Sequence, residues 1–145
     1  RGLGVARMIA MSTYRSHASY DTRFARTHDG ETFAVERWLR RHGDRLVARF
    51  DAETYVTLTH AMDSHDVARG RGPYESVLGS IRQPALVVAI DSDVLYPPHE
   101  QEELALLMPN ATLQTVHSAQ GHDGFLIDAA AINEALLESF SGVAQ

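Results

Sequence analysis

Val87-Val88-Ala89-Ile90-Asp91-Ser92-Asp93-Val94-Leu95-Tyr96-Pro97-Pro98, read with Gly121-His122-Asp123-Gly124-Phe125-Leu126, decides the fold of this chain. The first stretch is an apolar, largely β-branched run that ends on two aspartates and then a proline pair. Such near-continuous apolar runs, here Ala85–Ile90, belong to strands buried on both faces of a parallel sheet. Pro98 suits the first turn of a helix, where a missing N–H costs nothing. Leu104, Leu106, Leu107 and Met108 continue that helix, and Pro109-Asn110 stops it. Ala111–Val116 reads as a second strand, and six residues beyond it stands His122, behind Gly121. Residues 128–140, with Ile132, Leu136, Leu137 and Phe140, predict an amphipathic closing helix. This order describes one edge of a doubly wound α/β sheet.

Upstream of that edge the pattern is helical. Residues 4–14 carry Val5, Met8, Ile9 and Met11, which fits a buried helix. His28-Asp29-Gly30-Glu31 reads as a turn. Phe33, Val35, Trp38 and Leu39 recur at mixed helical spacing, Gly43 is expected to interrupt, and Leu46, Val47 and Phe50 continue. Asp51 is placed to cap a helix with Tyr55, Leu58 and Met62 on one stripe. Arg69-Gly70-Arg71-Gly72-Pro73 forms a loop before a short helix at about 74–81. The chain is therefore expected to divide near residue 80. Residues 1–80 make a helical segment and cap, and 81–145 make the β-α-β-α part of an α/β core.

The 145 residues suffice for a real core, and 44% hydrophobic with 22% charged content is ordinary for a soluble globular protein. No apolar run approaches the ~20 residues that a membrane span needs. With no cysteine, disulfides, thiolate catalysis and cysteine-based metal sites are excluded. The net charge of −6 is uneven: all thirteen basic residues are arginine and the last is Arg82. The arginines interleave with acids, as in Glu36, Arg37, Arg40, Arg41, Asp44 and Arg45, which is the pattern of a solvated helix face rather than a nucleic-acid surface. Arg1-Gly2-Leu3-Gly4 has neither an initiator methionine nor a signal-peptide pattern. It reads as mid-protein sequence, and a cytoplasmic home is expected.

Asp93 sits just past a strand end, where ligands bind in open α/β sheets. It is either the acid that orients a catalytic histidine or a turn-capping aspartate. His122 falls on the same sheet edge and is either a general base or a capping histidine. Together, in the order acid then histidine, they match the second and third members of an α/β-hydrolase triad. No serine completes it: Ser80, Ser92, Ser118, Ser139 and Ser141 lack the strand-elbow-helix context of the nucleophile. The chain thus reads as the back half of an enzyme, without activity in isolation. His60 and His65, near Asp63 and Asp66, are five apart rather than the three or four that share a helix face, so no metal site is expected. His17, His28, His42, His99 and His117 read as surface or loop residues.

Several segments resemble one family. Ala6-Arg7-Met8-Ile9-Ala10-Met11-Ser12-Thr13-Tyr14-Arg15-Ser16, Arg49-Phe50-Asp51-Ala52 with Tyr55, Ala61-Met62-Asp63 and Asp66-Val67-Ala68-Arg69-Gly70 are similar to segments of homoserine O-acetyltransferases. So are the aspartate and histidine stretches, and the resemblance runs from about residue 2 to 140. It implies transfer of an acetyl group from acetyl-CoA, a co-substrate rather than a resident cofactor, to the hydroxyl of L-homoserine for methionine synthesis. It also implies Asp93 and His122 as triad acid and base, an upstream serine as nucleophile, and Arg7, Tyr14 and Asp123 as the residues that hold the amino-acid substrate. A homodimer through the cap helices is implied too, with neither nucleic acid nor membrane as partner. Two departures touch the histidine loop: Ser118-Ala119-Gln120 stands where relatives often carry a proline-containing turn, and Gly124 replaces a commoner alanine. The rivals are an O-succinyltransferase acting on serine or homoserine, a plain hydrolase, and a non-catalytic interaction module of the same fold.

Overall fold

The computed structural model of the chain describes residues 1–141. It divides into two compact units, Arg1–Asp66 and Val67–Gln145.

The first unit runs α1 (Gly2–Tyr14), α2 (His17–Arg23), β1 (His28–Asp29), β2 (Thr32–Phe33), α3 (Ala34–Val47) and α4 (Ala52–Asp63). Its core is the packing of α1 on α3. Gly43 does not interrupt α3, contrary to expectation. A glycine inside a helix costs about 1 kcal/mol relative to alanine; here it permits an approach no other residue allows. A Cβ at Gly43 would stand 2.8 Å from the carbonyl oxygen of Gly4 on α1. Tyr20, Phe24 and Trp38 fill a second part of this unit, with ring centroids 5.4 to 5.9 Å apart, and the Tyr20 hydroxyl donates to the Met11 carbonyl at 2.7 Å.

The turn expected at 28–31 is the tip of a two-residue antiparallel hairpin, with Gly30 at φ +68°. Arg37 braces it through an ion pair with Asp29 at 2.9 Å. Asp51 caps α4 as expected, accepting from the Thr54 N–H at 2.8 Å. The stripe on α4 does not form a core, however. None of its residues is buried, and Val56, Leu58 and Met62 are 52, 49 and 68% exposed.

The second unit runs α5 (Tyr74–Gly79), β3 (Ala85–Ile90), α6 (Pro98–Leu107), β4 (Ala111–Val116), a 3-10 turn (Gly121–Asp123), α7 (Gly124–Ile127) and α8 (Ala129–Phe140). The division falls between residues 66 and 67 rather than near 80, because α5 packs on α6 and so belongs with the sheet. Both strands have the boundaries their sequences predict. They pair in parallel, from Ala85 opposite Ala111 to Ile90 opposite Val116. Two parallel strands need a crossover, and α6 supplies it. The core comprises Leu78, Val87, Ala89, Ile90, Val116 and Ala135. On α8 it is Ala135 that is buried, while Leu136, Leu137 and Phe140 remain exposed. A two-stranded sheet is too narrow to cover the whole apolar face of that helix. Among the described residues, no helix is long and apolar enough to cross a membrane, and no group of histidines and carboxylates could hold a metal ion.

Candidate active site

The in-phase register brings the ends of β3 and β4 level, so the loops that follow them meet. Asp93 enters its loop through its own N–H, which donates to the Ile90 carbonyl at 3.0 Å. Its Oδ1 accepts from the Leu95 and Tyr96 N–H groups at 2.8 and 3.0 Å. That is the turn-capping role, and it leaves the other oxygen for a second partner. Oδ2 lies 2.8 Å from Nδ1 of His122, twenty-nine residues away in sequence. One side chain thus makes both sets of contacts: backbone hydrogen bonds aim the carboxylate, and the aimed carboxylate holds the His122 imidazole. The Asp93 side chain is 6% exposed and that of His122 24%, so the pair is largely shielded from water while the ring stays accessible. With Nδ1–H donated to the carboxylate, the basic lone pair of neutral His122 is on Nε2.

Tyr96 and Phe125 flank the imidazole at 5.2 and 5.4 Å between ring centroids. The ring opens on a cavity of about 650 Å³. Val88, Ile90, Leu104, Phe125 and Ile132 give it apolar walls; Tyr74, Glu100 and Glu103 are polar points on its lining. Burial first, then Glu103 and Glu75, push the Tyr74 phenol above its ordinary range, so its O–H remains a donor.

A second, interlocked set of bonds ties the two loops together, and the sequence alone did not single it out. Asp91 accepts from the Ser118 N–H at 2.9 Å and lies 2.9 Å from Nδ1 of the exposed His117. The Ser118 N–H first, and then His117, hold the Asp91 carboxyl below its usual range. The Ser92 hydroxyl donates to the Ser118 carbonyl and accepts from the Gly121 N–H at 2.9 Å. Buried Ser118 donates its hydroxyl to Asp128 at 2.5 Å and accepts from the Gln120 N–H at 3.0 Å. Gly121 holds φ +69°, a conformation that favours glycine, immediately before the histidine. Gly124 leaves room for Ser118: a Cβ there would lie 2.8 Å from its hydroxyl oxygen. Both serines are thereby committed to holding the loops. Aspartate-serine-aspartate after one strand and histidine-serine after its neighbour was the available signal, but it acquires meaning only once the register is known.

The remaining candidates fall into two places. Asp123 follows His122 in the 3-10 turn of the second unit. Arg7 and Tyr14 lie seven residues apart on α1 of the first unit, with the guanidinium 5.2 Å from the ring centroid.

A parallel strand pair that presents an aspartate and then a hydrogen-bonded histidine beyond its carboxyl ends defines the later part of an α/β-hydrolase fold. No protein-family model matches the chain. Over 145 residues it is 59% identical to a homoserine O-acetyltransferase of Nostoc punctiforme, covering 96% of this chain and 41% of the relative. A crystal structure of homoserine O-acetyltransferase from Bacillus anthracis superposes with a TM-score of 0.84 at 17% identity, covering 99% of this chain and 41% of that one. The enzyme of the same name from Staphylococcus aureus superposes at 0.72 with 29% identity, covering 94% and 40%. The chain belongs to the homoserine O-acetyltransferase family, and it spans about two fifths of the length of the curated relatives it matches.

Proposed function

We propose that the full-length protein transfers an acetyl group from acetyl-CoA to the side-chain hydroxyl of L-homoserine, and that this chain supplies the acid and base of its triad. The observation that carries the reading is the Asp93–His122 hydrogen bond at 2.8 Å, in a chain so similar to proteins named for that reaction. The nucleophile is a serine in the part of the relatives' length that this chain does not span. His122 Nε2 removes the serine proton as its oxygen attacks the thioester carbonyl. The CoA sulfur leaves and takes that proton from His122. His122 next removes the proton of the homoserine hydroxyl, which attacks the acyl-serine, and returns it to the serine as the ester product departs. Asp93 fixes the tautomer and stabilises the imidazolium formed in each half-reaction.

In this reading Arg7 binds the substrate carboxylate with Tyr14 beside it, and Asp123 binds the ammonium group. No resident cofactor is required. The enzyme works in the cytoplasm as a homodimer, and the exposed Val56, Leu58 and Met62 on α4 support a contact between copies. A full-length mass that stays monomeric at every concentration would rule the dimer out.

Intact mass of the full-length protein after mixing with acetyl-CoA tests the reaction. One acetyl group should be gained, lost again on adding L-homoserine, and never gained by His122→Ala. Loading from succinyl-CoA alone would make the enzyme a succinyltransferase. Discharge to water at the same rate without homoserine would make it a hydrolase. No loading from either donor would sink the acyltransferase reading.

A further inference from the structure

Gly121 opens the 3-10 turn that carries His122, and it is buried. The first N–H of a helical turn has no partner within the turn, so that of Gly121 must be satisfied from outside. Its partner is the Ser92 hydroxyl oxygen at 2.9 Å, twenty-nine residues earlier in the loop after β3. The Ser92 proton goes to the Ser118 carbonyl, so the oxygen meets Gly121 as an acceptor. Two adjacent residues of one loop, Ser92 and Asp93, thus grip two adjacent residues of the next, Gly121 and His122.

The two bonds fix different things. Asp93 Oδ2 holds His122 Nδ1 at 2.8 Å, but a ring held at one atom still pivots about it, and each pivot carries Nε2 sideways. Tyr96 and Phe125 limit how far the ring tilts. The backbone from which it hangs is set at Gly121, the most permissive residue type, at φ +69°. Released from its partner, this glycine would regain the conformations that the bond denies it. We infer that Ser92 is a positioning residue: by fixing Gly121 it aims the basic nitrogen of His122, while its own hydroxyl stays committed to backbone groups. The inference rests on His122 acting as the base proposed above. The clamp is separable from the rest of the sheet edge. Without the Ser92 hydroxyl, Asp93 would keep its bonds from the Leu95 and Tyr96 N–H groups, and Ser118 would keep Asp91 and Asp128.

Ser92→Ala in the full-length protein tests this. Residue-resolved hydrogen exchange should show the Gly121 amide exchanging about tenfold faster or more, the equivalent of one lost hydrogen bond. The Leu95 and Tyr96 amides should stay as protected as in the parent. The kcat for acetyl transfer should fall about ten- to a hundredfold, the cost of an ångström-scale misplacement. Both KM values should hold, because His122 serves both half-reactions and these slow together. Hydrolysis of para-nitrophenyl acetate, which needs neither CoA nor homoserine, should fall by a similar factor. Parental turnover by Ser92→Ala, or unchanged exchange at Gly121, would overturn the inference. So would loss of protection at Leu95 and Tyr96, which would make Ser92 a general support of the sheet edge. A parent that hydrolyses the ester but transfers no acetyl group to homoserine would defeat the acyltransferase reading alone, and the ester assay would still decide the role of Ser92.

Discussion

Replacing each of two glycines at one helix crossing by alanine should change stability in opposite directions. At Gly43 the new Cβ would stand 2.8 Å from the Gly4 carbonyl oxygen, 3.3 Å from its carbonyl carbon and 3.4 Å from its Cα. These are backbone atoms that no rotamer change can move aside, so α1 would have to shift bodily by roughly half an ångström in a close-packed interface. Overpacking of this kind costs about 1–3 kcal/mol, and contact with backbone places Gly43→Ala in the upper half of that range. Helix propensity returns about 1 kcal/mol. The net loss is about 1–2 kcal/mol. At Gly4 the nearest atoms to a new Cβ are Val47 Cγ2 at 3.6 Å and the Gly43 carbonyl at 3.8 Å, ordinary contacts. Gly4→Ala should therefore gain part of the propensity term, up to about 1 kcal/mol. Urea unfolding of the full-length variants, compared at constant m-value, measures both. Stabilisation by both substitutions would show that α1 and α3 do not meet at these glycines.

Asp93→Asn keeps an oxygen for the Leu95 and Tyr96 N–H groups but presents an amide N–H to His122 Nδ1, favouring the wrong tautomer. Acetyl transfer should fall by about 10²–10⁴ in kcat with far-ultraviolet circular dichroism unchanged, and near-parental turnover would remove Asp93 from the triad. Ser118→Ala strands the partly buried Asp128 and the Gln120 N–H, and should cost about 1–3 kcal/mol in denaturant midpoint together with part of the activity. Burial first, then the charges of Arg7, Arg45, Arg15 and Arg23, make His42 less readily protonated in the folded chain than in the unfolded one, so the unfolded chain binds more protons as pH falls. Stability should therefore be lost on acidification below about pH 6.5. His42→Gln should lose less over the same range in thermal melts.

Local physics made much of this molecule readable from its residues. The apolar runs set both strands of the parallel pair, Pro98 opened α6, and Asp51 capped α4, because each signal acts within a few residues of itself. The order of Asp93 and His122 along those strands was enough to place them on one sheet edge. What required the tertiary structure was contact between distant residues. The register that levels Ile90 with Val116 decides that Asp91 meets Ser118 and that Ser92 meets Gly121. Asp128 reaches Ser118 only because the chain doubles back through the 3-10 turn and α7. Gly43 looked like a helix breaker, since propensity counts only the residue itself; the opposing backbone of Gly4 explains why glycine stands there. The arginines looked alike in sequence, but the fold alone decides that Arg37 braces the hairpin through Asp29 while Arg7 lies against the Tyr14 ring. Apolar periodicity likewise identified the faces of α4 and α8 without saying whether anything covers them. Periodicity belongs to a single helix, whereas burial depends on what packs against it.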